Sequence, residues 1–155
     1  MISKKLNELA TKNLKNKFND HLGPVKCLHY DEPNKLMFSG SEEGVIKVWK
    51  TDVEENLICK RTFPVPNGSS ASVIQYSHAL KLLFTGGEDG NVVVWQEGKD
   101  LDFKPALVIK CGLKINSLLV TNQPDLLFVG TERGTMKVYE FEYNGKGGLI
   151  YYKMA

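Results

Sequence analysis

The residues that could perform chemistry are few, and they lie far apart in the sequence. The histidines are His21, His29 and His78. Neither they nor the cysteines show the close spacing of a zinc site or of a metalloprotease motif. We expect His29 and His78 to be exposed because they lie in or beside polar stretches. The histidines therefore predict neither a metal centre nor an acid–base pair.

Two acidic pairs, Glu42-Glu43 and Glu88-Asp89, suggest the paired carboxylates of general acid–base catalysis. They stand 46 residues apart, and each is followed directly by a glycine. A repeated structural turn explains both pairs at once. The calcium-loop pattern with its distal glutamate is absent.

Glycine-rich stretches offer no phosphate site either. The segment Asn144–Gly148 reads Asn-Gly-Lys-Gly-Gly, which lacks the phosphate-loop spacing and the helix that should follow. We predict a hairpin turn there. The Asn67–Ser70 stretch is predicted to be a linker, with no base beside its serines. The sequence thus predicts no enzymatic activity, cofactor or metal.

The cysteines are Cys27, Cys59 and Cys111. An odd number of widely spaced cysteines argues against a disulfide framework. We expect reduced, half-buried thiols that behave as small apolar side chains.

Composition narrows the class of protein. The chain has 155 residues, is 42% hydrophobic and 25% charged, and carries a formal net charge of +2. These values exclude disordered and collagen-like chains and give no general argument for nucleic-acid binding. No stretch approaches a membrane span, and the first residues lack the apolar run of a secretory signal. We therefore predict one cytoplasmic domain.

The sequence repeats itself three times. The segments Val25–Trp49, Ala71–Trp95 and Ile115–Tyr139 align without a gap, at offsets of 46 and then 44 residues. The coinciding positions are Leu36, Leu82 and Leu126; Phe38, Phe84 and Phe128; Gly40, Gly86 and Gly130; Gly44, Gly90 and Gly134; and Trp49, Trp95 and Tyr139.

Each unit is predicted to contain four short strands separated by turns. In the first unit the strands begin at Val25 and span residues 35–41, 45–50 and 57–63, and the fourth strands of the later units span residues 106–111 and 149–153. Four strands per unit of about 45 residues are typical of a β-propeller blade. The predicted fold is all-β, with about three blades in a partial or open propeller and a short N-terminal helix or strand.

The stretches at residues 38–49 and 84–95 resemble blades of the WD-repeat β-propeller family. The resemblance covers residues 20–153, with blades at about 20–64, 65–112 and 113–153. It implies a non-catalytic scaffold or adaptor that binds protein partners on the propeller faces. From the residues themselves we expect no small-molecule substrate, cofactor or membrane contact.

In that family, a tetrad of hydrogen-bonded side chains stabilises each blade. The resemblance places such structural residues at His21, Ser39, Glu43 and Trp49 in the first blade, at Thr85, Asp89 and Trp95 in the second, and at Tyr139 in the third. Glu43 replaces the usual aspartate, and the second blade lacks the histidine. Val129 and Arg133 depart from the pattern in the third blade.

A narrower resemblance concerns residues 126–139, whose Leu-Phe-Val-Gly-Thr run is similar to blades of cilia- and flagella-associated WD-repeat proteins. It implies a ciliary or cytoskeletal assembly. The alternative function is an RNA-associated WD-repeat protein of a ribonucleoprotein complex. That alternative requires a basic stripe across the blades, whereas the excess positive charge lies in residues 1–20.

Three blades are too few for an ordinary closed ring, which needs about four to eight. Missing sequence, self-association or another subunit would complete it, and the first of these is favoured. Residues 1–19 form an amphipathic segment with apolar residues at helical spacing. It is a docked helix, the outer strand of a preceding blade ending at Leu14–Asp20, or a lysine-rich tail.

Which loops bind a partner is not encoded in a motif. Arginine and tyrosine are enriched at interaction hot spots. The candidates on this ground are Arg61, Arg133, Tyr143, Tyr151 and Tyr152.

Overall fold

The computed structural model describes residues 3–5, 16–122, 125–143 and 149–154. These residues contain twelve strands in three four-stranded antiparallel sheets. Within each sheet, the strands lie side by side in sequence order. The prediction of an all-β chain with three blade-like units is confirmed.

The strands of the three sheets have the following bounds. The first sheet consists of β1 (Val25–Asp31), β2 (Leu36–Ser41), β3 (Val45–Thr51) and β4 (Leu57–Pro64). The second consists of β5 (Val73–Ser77), β6 (Leu82–Gly86), β7 (Asn91–Glu97) and β8 (Phe103–Lys110). The third consists of β9 (Ile115–Asn122), β10 (Asp125–Thr131), β11 (Met136–Tyr143) and β12 (Leu149–Met154).

The glycine of each acidic turn has a specific conformational role. Gly44 has φ of +78° between β2 and β3, and its N–H donates to the Ser41 carbonyl at 3.1 Å. Gly90 has φ of +76° in the equivalent turn. A side chain would be strained in this left-handed region. The repeated glycines therefore fix the tight hairpins that align the two middle strands of each sheet.

A β-bulge recurs beside the tryptophans. The pairing of β3 with β4 shifts between Val48 and Trp49, and the pairing of β7 with β8 shifts between Val94 and Trp95. One extra residue in the outer strand bends it and increases its twist. The bulges thus lie at the same repeat position in both sheets.

The three sheets stack in sequence order. We call the face on the side of the preceding sheet the front face and the opposite face the back face, and we use the same names for the open faces at the two ends of the stack. The first core joins the back face of the first sheet to the front face of the second, with Leu36, Phe38, Ile46 and Val48 against Ile74, Tyr76, Leu83, Val93, Trp95 and Phe103. The second core repeats this arrangement, with Leu82, Phe84, Val92, Val94 and Ile109 against Ile115, Leu118, Leu127, Val129, Tyr139 and Phe141.

The N-terminal segment is described only in part. Residues 3–5 are helical, and residues 16–20 have no regular secondary structure. The predicted strand ending at Asp20 is therefore absent from residues 16–20, while most of the predicted helix lies outside the described residues.

Three expectations need correction or completion. His29 is half-buried within β1 rather than exposed, and its ring lies 6.3 Å from that of Phe38. Burial lowers the pKa of His29, although Asp31 opposes this shift. Strand β8 spans Phe103–Lys110 rather than residues 106–111. The predicted turn at Asn144–Gly148 lies outside the described residues.

Candidate interaction surfaces

A hydrogen-bonded cluster links the segment before β1 to the middle of the first sheet. The Ser39 hydroxyl accepts a hydrogen bond from Trp49 Nε1–H at 2.9 Å and lies 2.7 Å from His21 Nε2. Glu43 Oε1 lies 3.6 Å from His21 Nδ1. With the proton on Nδ1, Nε2 is free to accept from Ser39. The buried Nδ1 then points its N–H toward Glu43 without a hydrogen bond to a described residue, because 3.6 Å is too long for one.

The longer Glu43 side chain reaches the backbone that carries His21. Its carboxylate accepts from the Leu22 N–H at 3.2 Å. Desolvation raises the pKa of Glu43, but hydrogen bonds from Ser41 and from nearby backbone N–H groups outweigh it and lower the pKa overall. A Cβ on Gly23 would overlap this carboxylate. The structure thus brings together the four first-blade residues singled out in the sequence.

The second sheet has only the tryptophan–hydroxyl part of this hydrogen-bonded cluster. Trp95 Nε1–H donates to Thr85 Oγ1 at 2.9 Å. Asp89 instead accepts from the backbone and side-chain N–H groups of Asn91, at 3.1 and 3.0 Å. Asp89 therefore stabilises its own turn, and the tryptophan–threonine pair lies apart from it.

The third sheet uses different atoms at the tryptophan position. The Tyr139 hydroxyl lies 3.4 Å from Cys111 Sγ, and both residues are buried. Lys137 Nζ donates to the Cys111 carbonyl at 2.7 Å. These contacts connect the third sheet to the end of the second. All three cysteines are free thiols; Cys27 and Cys59 are half-buried as predicted, whereas Cys111 is fully buried.

The hot-spot candidates fall in different environments. Arg61 Nε donates to the Asp100 carbonyl at 3.0 Å, so it connects β4 to the loop before β8. Arg133 is exposed in the turn between β10 and β11. The side chains of Tyr143, Tyr151 and Tyr152 lie outside the described part of the chain.

Polar bridges between the sheets were not foreseen from the sequence. His78 Nδ1 lies 3.4 Å from Asp31 Oδ1, and the Ser77 hydroxyl donates to Asn122 Oδ1 at 2.7 Å. Asp31 and Ser77 share one repeat position, and His78 and Asn122 share the next. The sequence signal for these bridges was that side chains able to form hydrogen bonds recur at both positions in successive repeats.

A charged pair forms one further bridge, between the turn that connects β6 to β7 and the loop before β9. Lys114 Nζ lies 2.8 Å from Glu88 Oε1. This hydrogen bond lowers the pKa of Glu88 and raises that of Lys114. One carboxylate of the acidic turns is thus occupied in joining the second and third sheets.

Two of the open cavities among the described residues lie beside the loops and the front face discussed above. One, of about 590 Å³, lies between loops of the first two sheets and is lined by Glu42, Asn67, Gly68, Ser69, Ser70, Glu88 and Asp89. The other, of about 330 Å³, lies on the front face of the first sheet beside Phe18 and Trp49. The first is acidic and the second mostly apolar.

The described residues also bear on metal binding and membrane spanning. No group of three or more His, Cys, Asp or Glu side chains in the described ranges is placed to hold a metal ion. Within the same ranges, no helix is long and apolar enough to span a bilayer.

Comparison with known proteins identifies the family. No curated protein matches the chain. The family described as WD domain, G-beta repeat matches residues 12–50 and 58–96, which together make up half of the chain. The second match begins in β4 and ends in β7, so it spans the outer strand of the first sheet and the three inner strands of the second. The first match includes β1, β2 and most of β3. The chain therefore belongs to the WD-repeat family.

Proposed function

We propose that this chain is a non-catalytic scaffold that mediates protein–protein contacts in a larger assembly. The main support is that the chemistry-bearing side chains at repeat positions are used within the fold. His21 contacts Ser39, Asp89 accepts from its own turn, and Glu88 pairs with Lys114. WD-repeat membership supports an interaction role in general.

The loop side of the stacked sheets is the surface proposed for partner binding. It carries the turns between β2 and β3, β6 and β7, and β10 and β11, which include the exposed Glu42 and Arg133. Loops on a rigid β framework suit binding because they vary without disturbing the core. Arg133 is the strongest candidate contact by type and exposure.

Cytoplasmic and ciliary locations are finer proposals. The cilium- or cytoskeleton-associated role is supported by the Leu-Phe-Val-Gly-Thr run of the third repeat alone. Imaging a tagged chain in ciliated cells tests this role. Enrichment along the axoneme is the expected result, and uniform cytoplasmic signal contradicts it.

The RNA-associated alternative makes a different prediction. The excess positive charge that it would use lies in positions 1–20, which hold five lysines against two acidic residues, and not in a stripe across the blades. RNA held by lysines should be released steeply with rising salt, because bound counterions are displaced from phosphates. Retention of RNA at physiological salt would favour this alternative over the scaffold.

The scaffold proposal is tested by quantitative capture with the full chain, followed by titration of each captured protein after purification. The test variant is Arg133→Glu, and the charge-matched control is Lys60→Glu on the exposed outer strand β4. We expect nuclease-resistant binding that weakens at least tenfold in the first variant and is unchanged in the second. Binding that nuclease abolishes would overturn the proposal.

A further inference from the structure

The front face of the first sheet is built like an interface but is uncovered. Leu28 and Tyr30 are 62% and 51% exposed. Their equivalents in the second sheet, Ile74 and Tyr76, are 4% and 6% exposed because the first sheet covers them. The same repeat positions are therefore buried in one sheet and open in the other.

The back face of the third sheet shows the complementary situation. Met136 is 67% exposed, whereas its equivalents Ile46 and Val92 are completely buried. Leu119 on the same face is 56% exposed. This surface therefore has the apolar character of the two back faces that are covered.

A glycine on that back face has room for an approaching strand. A Cβ on Gly40 would come within 2.8 Å of the Ala71 Cβ and carbonyl oxygen, and one on Gly86 within 2.8 Å of Ile115 Cγ2. In both cases the neighbouring sheet limits the space, together with one side chain of the same sheet, Cys27 at 2.6 Å from the Gly40 position and Val73 at 3.0 Å from the Gly86 position. A Cβ on the equivalent Gly130 would meet only Ser117 within 4 Å. The space that Ala71 and Ile115 fill beside the other glycines is open here.

The position equivalent to Ala71 and Ile115 in the first sheet is Val25, which is 51% exposed. The chain thus carries both halves of one contact: a back face with room beside Gly130, and a front face that presents Val25. Apolar residues exposed on both faces lose contact with water when the halves meet.

Phe18, in the segment before β1, makes the same kind of ring contact as an outer-strand residue of a preceding sheet. Phe18 lies 5.2 Å from the Trp49 ring, as Phe63 of β4 lies 4.9 Å from the Trp95 ring of the next sheet. Phe18 therefore occupies the place of an outer-strand residue from a preceding sheet. Residues 16–18 are the equivalents of Arg61–Phe63 by this contact.

Among the described residues, part of β11 in the third sheet has no outer-strand partner. Strand β4 pairs with all of Val45–Thr51, whereas β12, in its described residues, pairs with β11 only at Tyr139–Tyr143. The β11 residues at 136–138 correspond to Ile46–Val48, which pair with Arg61–Phe63. An edge of this kind is a template for strand addition.

We propose that the front face of the first sheet binds the back face of the third sheet of a second copy of this chain. Residues 16–18 then extend the outer edge of that third sheet alongside β11. Two such contacts, related by a twofold axis, close a ring of six sheets. Heterologous contacts close into rings when the rotation allows it, and six lies within the usual four to eight blades.

The register of the covered interfaces specifies individual contacts in the assembly. Phe38 and Tyr76 lie 4.8 Å apart across the first core. Their equivalents are Phe128 on the back face of the third sheet and Tyr30 on the front face of the first. These two rings pack together across the proposed contact, and Val25 packs beside Gly130.

The test is the solution mass of the full chain by light scattering. We expect a single species at twice the 17.4 kDa chain mass. Leu28→Glu on the front face and Met136→Glu on the back face should each shift that mass to one chain. Both side chains are mostly exposed in the single chain, so neither variant should unfold it. Circular dichroism checks this.

Val53→Glu is the matched control, because Val53 is fully exposed in the turn between β3 and β4, away from both faces. It should keep the doubled mass. A monomeric wild-type chain would overturn the proposal and favour further sheets of this repeat type, from another segment or partner, as the occupant. A ladder of larger masses would overturn ring closure, and a dimer unaffected by Leu28→Glu would overturn the front-face contact.

Discussion

The second sheet is covered on both faces, whereas the first and third sheets each have one covered and one open face. Ile74 and Val92, on opposite faces of the second sheet, are both buried, while their equivalents Leu28 and Met136 at the two ends of the stack are exposed. The local sequence pattern is nearly the same in all three units. Burial in this fold is therefore decided by the neighbouring sheet and not by the repeat itself.

The largest difference between the sheets in the cost of a substitution should appear at the aromatic residue that ends each repeat. Trp95→Ala should lower the free energy of unfolding by about 3–5 kcal/mol, because this completely packed side chain leaves a cavity. Trp49→Ala should cost less, since Phe18 is its described ring partner and solvent reaches the adjoining cavity. Tyr139→Ala is also expected to cost less than Trp95→Ala. Urea denaturation measures all three; equal costs would contradict the comparison.

The inner strands provide the next contrast. Ile74→Ala should cost about 2–5 kcal/mol because it removes a core side chain. Leu28→Ala should change the free energy of unfolding by less than about 0.5 kcal/mol, since it is a surface substitution in the single chain. Denaturation at protein concentrations where copies are dissociated separates the two. A large loss from Leu28→Ala would show that its face is covered within one chain.

Substitution of the back-face glycines tests the stacking of the sheets. Gly40→Ala should destabilise the chain by about 1–3 kcal/mol, since the added methyl group would press on the Ala71 backbone. Gly130→Ala should cost less, because only the small Ser117 side chain must move. Thermal melts of the two variants give the ranking. A greater loss at Gly130 would argue against the open back face.

The hydrogen-bond cluster predicts a further difference between the first and second sheets. Ser39→Ala removes a partner from both Trp49 and His21, whereas Thr85→Val removes one from Trp95 alone. An unsatisfied buried donor costs about 1–3 kcal/mol, so Ser39→Ala should be the more damaging substitution. Denaturant midpoints of the two variants test whether His21 stabilises the sheet. Equal losses of stability in the two variants would show that His21 does not stabilise the first sheet.

The smallest expected effect depends on pH. Burial raises the pKa of the Cys27 thiol to about 11 from 9.0, although a backbone hydrogen bond with Gly40 opposes the shift. The neutral thiol therefore contributes stability below pH 9 that is lost as the pH rises toward 11. Cys27→Val introduces the residue type that the second sheet has at the equivalent position, Val73. This substitution should reduce the loss of unfolding free energy as the pH rises from 9.0 to about 11. Cys59→Val is the control and should leave it unchanged.

Much of the fold could be predicted because it is encoded locally. The turn glycines and the alternation of apolar residues specify the strands, and the 46- and 44-residue offsets specify three equivalent units. The strand bounds at β8 differed because the loop at Lys99–Leu101 includes two residues with positive φ, neither of them glycine. Aspartate is a residue type that favours such a turn, but leucine is not, so the residue types at Asp100 and Leu101 did not specify this one.

The contacts between sheets were harder to predict, because those described above join residues that are 26 or more positions apart in the sequence. Burial of His29 depends on the second sheet packing against β1, and the Tyr139–Cys111 contact replaces a tetrad with atoms from a neighbouring sheet. The sequence pattern within one repeat carries no information about these neighbours. Only the alignment of repeats, combined with the stacking order, reveals them.

The proposed contact between copies is tested most directly by a disulfide across it. Lys47 Nζ lies 3.0 Å from Thr62 Oγ1 between β3 and β4, and Lys137 and Lys17 hold the equivalent positions in β11 and the N-terminal segment. Directly paired strand residues lie at distances that a disulfide spans.

Oxidation of a mixture of Lys17→Cys and Lys137→Cys chains, each carrying a different mass tag, should give a covalent dimer that contains one chain of each kind. Each variant oxidised alone should remain almost entirely single. The mixture would contradict the account if it formed no mixed dimer while both chains were folded, or if each variant alone gave dimers in equal yield.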